Sequence, residues 1–301
     1  MDPRELMAKQ NAHSDNFAKT FATLKLSETR TIEFEGFSYI LQLNPGRIKS
    51  SKANISIPVE KKECFLCRNN MPADQIKFQY NDRFFISINP FPILDNHLTI
   101  ISREHTPQTI KGNVETMLQL SDYLENMVVF YNSPKSGASA PFHCHFQAGW
   151  EKELPCFVEI DEIKKRYTTQ SGNGIWKISE PTRRMVVVED SNQQEAIRKT
   201  EHILAEISRI YGSSEPEANI GIVNKNGIYR AILFPREKHR PEEYFREGDN
   251  KILVSPGFAD MAGLIPCSIP NNYKTITKED IRSIMNQVSM PENKLNEIKL
   301  M

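Results

Sequence analysis

The alternation in Pro141-Phe-His-Cys-His-Phe-Gln147 is the strongest constraint this sequence places on its fold. Side chains of a β-strand point to opposite faces in turn, so a strand here puts His143, His145 and Gln147 on one side. Cys144 and Phe146 then face the other way, into a core. Such a strand has one reactive face and needs a sheet around it. Two imidazoles two residues apart suit either metal binding or nucleophilic catalysis, and a pair of satisfied core histidines is the plain structural alternative. The preceding segment, Asn132-Ser-Pro-Lys-Ser-Gly-Ala-Ser139-Ala-Pro, favours chemistry, because its small residues let a phosphate approach backbone N–H groups closely.

The 301-residue chain is long enough for one large domain or two ordinary ones. Its 38 Lys and Arg balance 38 Asp and Glu, so no long-range field favours nucleic acid or an acidic membrane surface. A small ligand is the expected partner. No apolar run of about 18 residues is present and the first residues lack a signal-peptide core, so the expected location is cytoplasmic. Of five cysteines, two form Cys64-Phe-Leu-Cys67, a spacing that in a reducing compartment favours metal or redox roles over disulfides.

Along the chain, residues 3–25 have helical spacing and residues 30–43 alternate like strands up to the turn Asn44-Pro-Gly46. The runs 84–88 and 97–102 predict adjacent strands separated by a loop at 89–96. Helical spacing returns over 112–131. The polar stretch Thr168–Gly174 predicts a linker or surface loop between halves, and 220–234 predicts a hairpin turning at Asn224-Lys-Asn-Gly227. Ile100–His105 and Ile232–His239 both run from a strand into a basic, acidic and histidine-bearing corner, which suggests a duplicated α+β unit whose second copy has lost the reactive strand. Arg236, Lys238 and His239 suit an acceptor phosphate or a solvated strand end. The last thirty residues predict a polar, peripheral helix and tail.

Two thiolates from Cys64 and Cys67 leave a tetrahedral zinc two ligands short, and no further pair follows at zinc-finger spacing. His105 and His143 would complete a Cys₂His₂ site and pin the strand carrying His145 to its neighbouring loop. Cys144 is a rival by proximity, but alternation turns it away from His143. Two free thiols beside unrelated histidines is the structural alternative.

Three stretches together resemble the histidine-triad superfamily, in its branch containing galactose-1-phosphate uridylyltransferase, GDP-hexose phosphorylase and diadenosine tetraphosphate phosphorylase. His143-Cys-His145-Phe-Gln147 is similar to the His-x-His-x-Gln signature of that branch, in which glutamine replaces the third histidine of the hydrolases. Ser136-Gly-Ala-Ser139 resembles the phosphate loop of the dinucleoside phosphorylases, and Gln42-Leu-Asn-Pro-Gly-Arg47 a segment of the GDP-hexose phosphorylases. The Cys64–Cys67 pair resembles the zinc-binding uridylyltransferases. Phe142 and Cys144 depart from the prolines usual there.

The resemblance implies an α+β fold, a histidine-triad-like antiparallel sheet with flanking helices and a related or degenerate second half. Residues 1–165 would form the catalytic half with a structural zinc site, and 175–301 a half that completes the substrate site. His145 is implied as the nucleophile, Gln147 as a phosphate-oxygen donor, and Cys64, Cys67, His105 and His143 as zinc ligands. Arg47, Ser136, Gly137 and Ser139 would hold phosphate oxygens. Asn89 and Asn132 would contact nucleotide sugar or phosphate, unless each satisfies only its own turn. The implied activity is a nucleotidyltransferase or phosphorylase acting on a nucleoside diphosphate sugar, with phosphate or sugar phosphate as acceptor. GDP-hexose phosphorolysis comes first, uridylyl transfer second and dinucleoside polyphosphate phosphorolysis third, with a non-catalytic nucleotide sensor as the other class. Neither nucleic acid nor membrane is an expected partner, and the superfamily admits a homodimer.

Overall fold

The computed structural model describes residues 2–45 and 64–301; Gly46 and Arg47 lie outside them. In chain order the elements are α1 (Pro3–His13), α2 (Asp15–Lys25), β1 (Thr29–Glu33), β2 (Ser38–Leu43), β3 (Phe78–Gln79), β4 (Phe84–Ile88) and β5 (Leu98–Ser102). Then come α3 (Val114–Tyr123), β6 (Met127–Asn132), β7 (His145–Trp150), α4 (Pro155–Val158), α5 (Ile160–Tyr167), β8 (Thr168–Gly172), β9 (Ile175–Ile178) and β10 (Met185–Asp190). The chain closes with α6 (Gln193–Tyr211), β11 (Ala218–Lys225), β12 (Ile228–Pro235), α7 (Phe258–Met261), β13 (Leu264–Cys267), α8 (Pro270–Thr275), α9 (Lys278–Val288) and α10 (Glu292–Glu297).

One antiparallel sheet orders its strands β3-β4-β5-β7-β6-β11-β12-β10-β9-β8. It is built from two units of the same connectivity, β4-β5-α3-β6-β7 and β9-β10-α6-β11-β12, which meet where β6 pairs with β11. This is the α+β architecture expected, with a related second half. Counting back from the ends of β5 and β10, Ile101 pairs with His145 as Glu189 pairs with Arg230, and Thr99 with Gln147 as Val187 with Ile232. Arg230 and Ile232 therefore stand where the first unit carries His145 and Gln147. The second unit keeps the counterpart strand, β12, and lacks only its reactive residues; Arg230 there joins Glu189 and Lys164 in an ion network. The likeness of Ile100–His105 to Ile232–His239 misassigned the counterparts: topology relates β5 to β10 and β12 to β7.

Period-two burial splits the core between the two faces of the sheet. One face packs Ile86, Ile100, Val129, Phe146, Val188 and Leu233 under α1, α2, α3 and α6. On the other face the second unit is covered by α4, α5, α7, α9 and a small sheet of β1, β2 and β13, around Phe130, Val187, Ile232, Phe258 and Met285. Leu66, Met71, Phe85 and Ile101 form a separate cluster under the Cys64–Cys67 turn. His145 and Gln147 lie on this face between the two clusters.

Three expectations change. The helical spacing over 112–131 covers two elements, since α3 stops at Tyr123, Asn126 turns the chain at φ +63° and the β-branched run from Met127 becomes β6. Thr168–Gly172 and Ile175–Ile178 form a hairpin rather than a loop; β8 is an edge strand exposed on both faces, so its sequence carries no apolar alternation. The last thirty residues are not peripheral: Ile281, Met285, Val288, Leu295 and Ile298 are buried, and Lys177 donates to the carbonyls of Asn296 and Ile298. The hairpin β11–β12 does turn at Asn226 and Gly227, both at positive φ as a two-residue hairpin turn requires. No helix among the described residues is long and apolar enough to cross a membrane.

Candidate active site and metal cluster

His145 opens β7 at the end where β6 runs out into the loop 133–144. The residue is 3% exposed, and its Nδ1 lies 2.7 Å from the carbonyl of His143. A carbonyl only accepts, so Nδ1 carries the proton and Nε2 keeps its lone pair. Burial, only partly offset by the hydrogen bond to the His143 carbonyl, pushes the imidazole down to about 4, so the ring is neutral near pH 7. A neutral imidazole with a free ring nitrogen is a nucleophile.

Gln147, half-exposed two residues on, is oriented by a residue the sequence did not reveal. The backbone N–H of Ile93 donates to Nδ1 of His97 at 3.3 Å, which leaves the His97 proton on Nε2. That N–H donates to Gln147 Oε1 at 2.9 Å, and Asn89 Nδ2 approaches the same oxygen at 3.4 Å. With its oxygen held by two donors, the carboxamide turns its N–H groups outward. Asn89 thus lies beside Gln147. Gln42 and Asn44 donate to the carbonyls of Ile93 and Pro92, so this part of the Gln42–Arg47 segment bolts down the loop that carries Asn89. Arg47 itself lies outside the described residues.

The loop 133–144 is braced by the second unit. Asn132 accepts at Oδ1 from Asn219 (2.7 Å) and from the N–H of Phe258 (2.8 Å), and is a buried tie between the two units. Asn219 also donates to the Ser136 carbonyl (2.6 Å), while Ser136 is itself fully buried with its hydroxyl on Glu217. Gly137 adopts φ +98°, and a Cβ there would stand 2.8 Å from Gly257 Cα, so only glycine fits. Ser139 is exposed. Arg236 is a tie as well, not a free cation: it is buried and donates to Asn219 and to the carbonyls of Val288, Pro256, Lys238 and His239.

Cys64, Cys67, His105 and His143 come together, with all four ligand atoms within 4.8 Å of one another. Nδ1 of His143 is 3.3 Å from Cys64 Sγ and 3.7 Å from Cys67 Sγ, and Nδ1 of His105 is 3.2 Å from Cys67 Sγ. A tetrahedral zinc with ordinary bond lengths sets S and N about 3.6 Å apart, so the donor set and its spacing fit. The Nε2–H of His143 donates to the Ser102 carbonyl at 2.9 Å, which turns Nδ1 towards the sulfurs, as an outer-shell partner of a metal ligand does. Burial alone would raise the Cys64 thiol and lower His143, but the bond between them overrides it and holds the thiol down and the imidazole up. Cys144 faces the core, away from the cluster.

Residues 6–150 match a family described as Domain of unknown function (DUF4922). No curated protein matches the sequence. Among solved structures, the chain is similar to yeast Ap4A phosphorylase Apa2 in complex with AMP, at 14% identity and a TM-score of 0.61, over 95% of this chain and 97% of that one. The same yeast enzyme in complex with Ap4A matches at 12% identity and a TM-score of 0.57, over 92% and 97% of the two chains. An ADP-glucose phosphorylase from Arabidopsis thaliana with bound ADP-glucose matches at 15% identity, over 88% of this chain and 100% of that one, with a TM-score of 0.38. The two-unit sheet is therefore the fold of the yeast Ap4A phosphorylase, which the chain shares over nearly its whole length.

Proposed function

We propose that this chain is a nucleotidyltransferase of the phosphorylase type, working through a covalent nucleotidyl-histidine at His145. The observation that supports this most is the ring itself: a buried, neutral imidazole whose Nδ1–H is tied to a backbone carbonyl and whose Nε2 is left with its lone pair. In the first step Nε2 attacks the α-phosphorus of a nucleoside diphosphate derivative. The N–P bond forms as the bond to the leaving phosphate oxygen breaks. In the second step an oxygen of inorganic phosphate attacks the same phosphorus, the N–P bond breaks, and a nucleoside diphosphate leaves. Two displacements at one nitrogen give ping-pong kinetics.

Gln147 donates to a non-bridging phosphate oxygen without adding negative charge, and its N–H groups are available because His97 and Asn89 hold its oxygen. Gly137 and Ser139 offer further donors, and Arg47 a bidentate guanidinium. The half 175–301 completes the substrate site by bracing the loop 133–144 through Asn219. Cys64, Cys67, His105 and His143 would hold a structural zinc that fixes the backbone just before His145.

GDP-hexose is the first donor to test, on the resemblance of Gln42–Arg47. A dinucleoside polyphosphate is the second, favoured by the Ser136–Ser139 loop and by a fold likeness that spans nearly the whole of both chains. A nucleotide sensor would have no use for a free, oriented nitrogen in place of a third hydrogen-bonded group. The test is product analysis after incubation with inorganic phosphate and GDP-glucose, UDP-glucose or diadenosine tetraphosphate in turn. Phosphate-dependent release of a nucleoside diphosphate supports the reading; release of only the monophosphate, indifferent to phosphate, contradicts it.

A further inference from the structure

The ladder between β6 and β7 stops short of the nucleophile. Its rungs run from Met127 opposite Trp150 to Phe130 opposite Gln147. Continued by two residues it would set Asn132 opposite His145, and that rung is missing. In its place lies the carboxamide of Gln108, which is 2% exposed. Its Oε1 accepts the N–H of His145 at 2.8 Å, and its Nε2 donates to the carbonyls of Asn132 and His145, both at 3.0 Å. A side chain thus performs, for one residue, the hydrogen bonding of a neighbouring strand. A direct rung would bring the two backbones to about 5.5 Å; an amide between them holds them further apart.

Gln108 is itself held from both sides. Three residues before it, His105 belongs to the Cys/His cluster. Just after it, Thr109 Oγ1 and the N–H of Ile110 both donate to Glu215 from the second unit. The same segment fixes the residue ahead of the nucleophile, since Cys144 N–H donates to the Thr106 carbonyl at 2.8 Å. The backbone on which the His145 ring and its partner carbonyl depend is therefore set by the segment 106–108.

We infer that Gln108 is a positioning residue for His145: its carboxamide replaces the missing Asn132–His145 rung, fixes the backbone from which the imidazole projects, and keeps β6 and β7 apart where the loop 133–144 begins. This rests on the reading of His145 as nucleophile. Gln108 acts through His145 and does not touch substrate.

The test compares wild type with Gln108→Met, which keeps the shape without the hydrogen bonds, and Gln108→Glu, which keeps the acceptor for His145 N–H but removes both donors. Three quantities are read: the rate of nucleotidyl adduct formation against donor KM, the zinc content, and the His145 tautomer by ¹⁵N NMR, assigned from the resonance lost in His145→Gly. Gln108→Met should slow adduct formation by about 10- to 100-fold with donor KM and zinc unchanged, and should move the ring from the Nδ1–H towards the Nε2–H form. Gln108→Glu should fall between, and carries the test alone if Gln108→Met does not fold. An adduct rate within threefold of wild type and an unaltered tautomer would overturn the inference while leaving the proposed chemistry intact. If wild type forms no adduct with any donor, the proposed chemistry fails, and the tautomer decides on its own: an unchanged ring in the variants overturns the positioning role and a changed ring supports it.

Discussion

His97 donates its Nε2–H to Oε1 of Gln147 across 2.9 Å, and this bond decides which end of the Gln147 carboxamide faces the site. An unrestrained amide presents oxygen or nitrogen with equal ease. Held as it is here, Gln147 offers only donors, which is what a phosphate oxygen needs. His97→Leu should therefore lower kcat by about 10-fold or more while the Cys/His cluster keeps its metal. Steady-state kinetics with parallel metal analysis checks it, and unchanged kcat would show that Gln147 orients itself.

Gln147→Glu should cost more than His97→Leu. It removes the donor pair and sets a carboxylate against phosphate oxygens, so kcat/KM should fall by about 100-fold or more. Gln147→Glu activity equal to wild type would remove Gln147 from the chemistry.

Purified without chelator, the protein should carry one zinc per chain. Cys64→Ser should lose it and lower Tm by roughly 5 °C or more, because binding energy of a structural metal is folding energy. Plasma emission analysis and a thermal scan read both quantities. A metal-free wild type with the same Tm as Cys64→Ser would leave the cluster as free thiols beside histidines.

Arg236→Met should destabilise the fold by about 3 kcal/mol or more, since Asn219 Oδ1 and the carbonyls of Pro256, Lys238 and His239 lose their donor and the Val288 carbonyl keeps only the N–H of Glu237. Urea unfolding measures it. A loss below about 1 kcal/mol would mean that water replaces the guanidinium.

Glu153 joins the loop 89–97 through the N–H of Asp95, and burial raises its carboxyl from an ordinary 4.5 to about 7. A raised acid favours the folded state while protonated, so its contribution is full below pH 4.5 and is lost as pH rises to about 7. Relative to Glu153→Gln, wild type should lose stability across that window. Parallel unfolding curves for the two proteins from pH 4.5 to 7 would contradict the burial of this carboxyl.

What could be read from sequence followed local chemistry. Phe84–Ile88, Leu98–Ser102 and the Asn226-Gly227 hairpin announce themselves by β-branched runs and turn residues. β6 did not, because only three residues separate it from α3 and Met127 continues the helical spacing. β8 did not, because an edge strand wet on both faces has no pattern to read. At the site, His145 and Gln147 were legible from alternation, and the Cys/His set from the ligand count that two thiolates leave open. His97 and Gln108 were not. Their roles arise from the register that puts Thr99 beside Gln147 and from a rung that fails to form, and both belong to strand pairing across long stretches of chain.

Intact-protein mass spectrometry reads a covalent bond at the His145 nitrogen directly. Wild type and His145→Gly are incubated with GDP-glucose, UDP-glucose or diadenosine tetraphosphate in the absence of phosphate. Wild type alone should gain one nucleoside monophosphate, discharged when phosphate is added. The same adduct on His145→Gly, or none on wild type with a donor it demonstrably turns over, would contradict a covalent bond at His145.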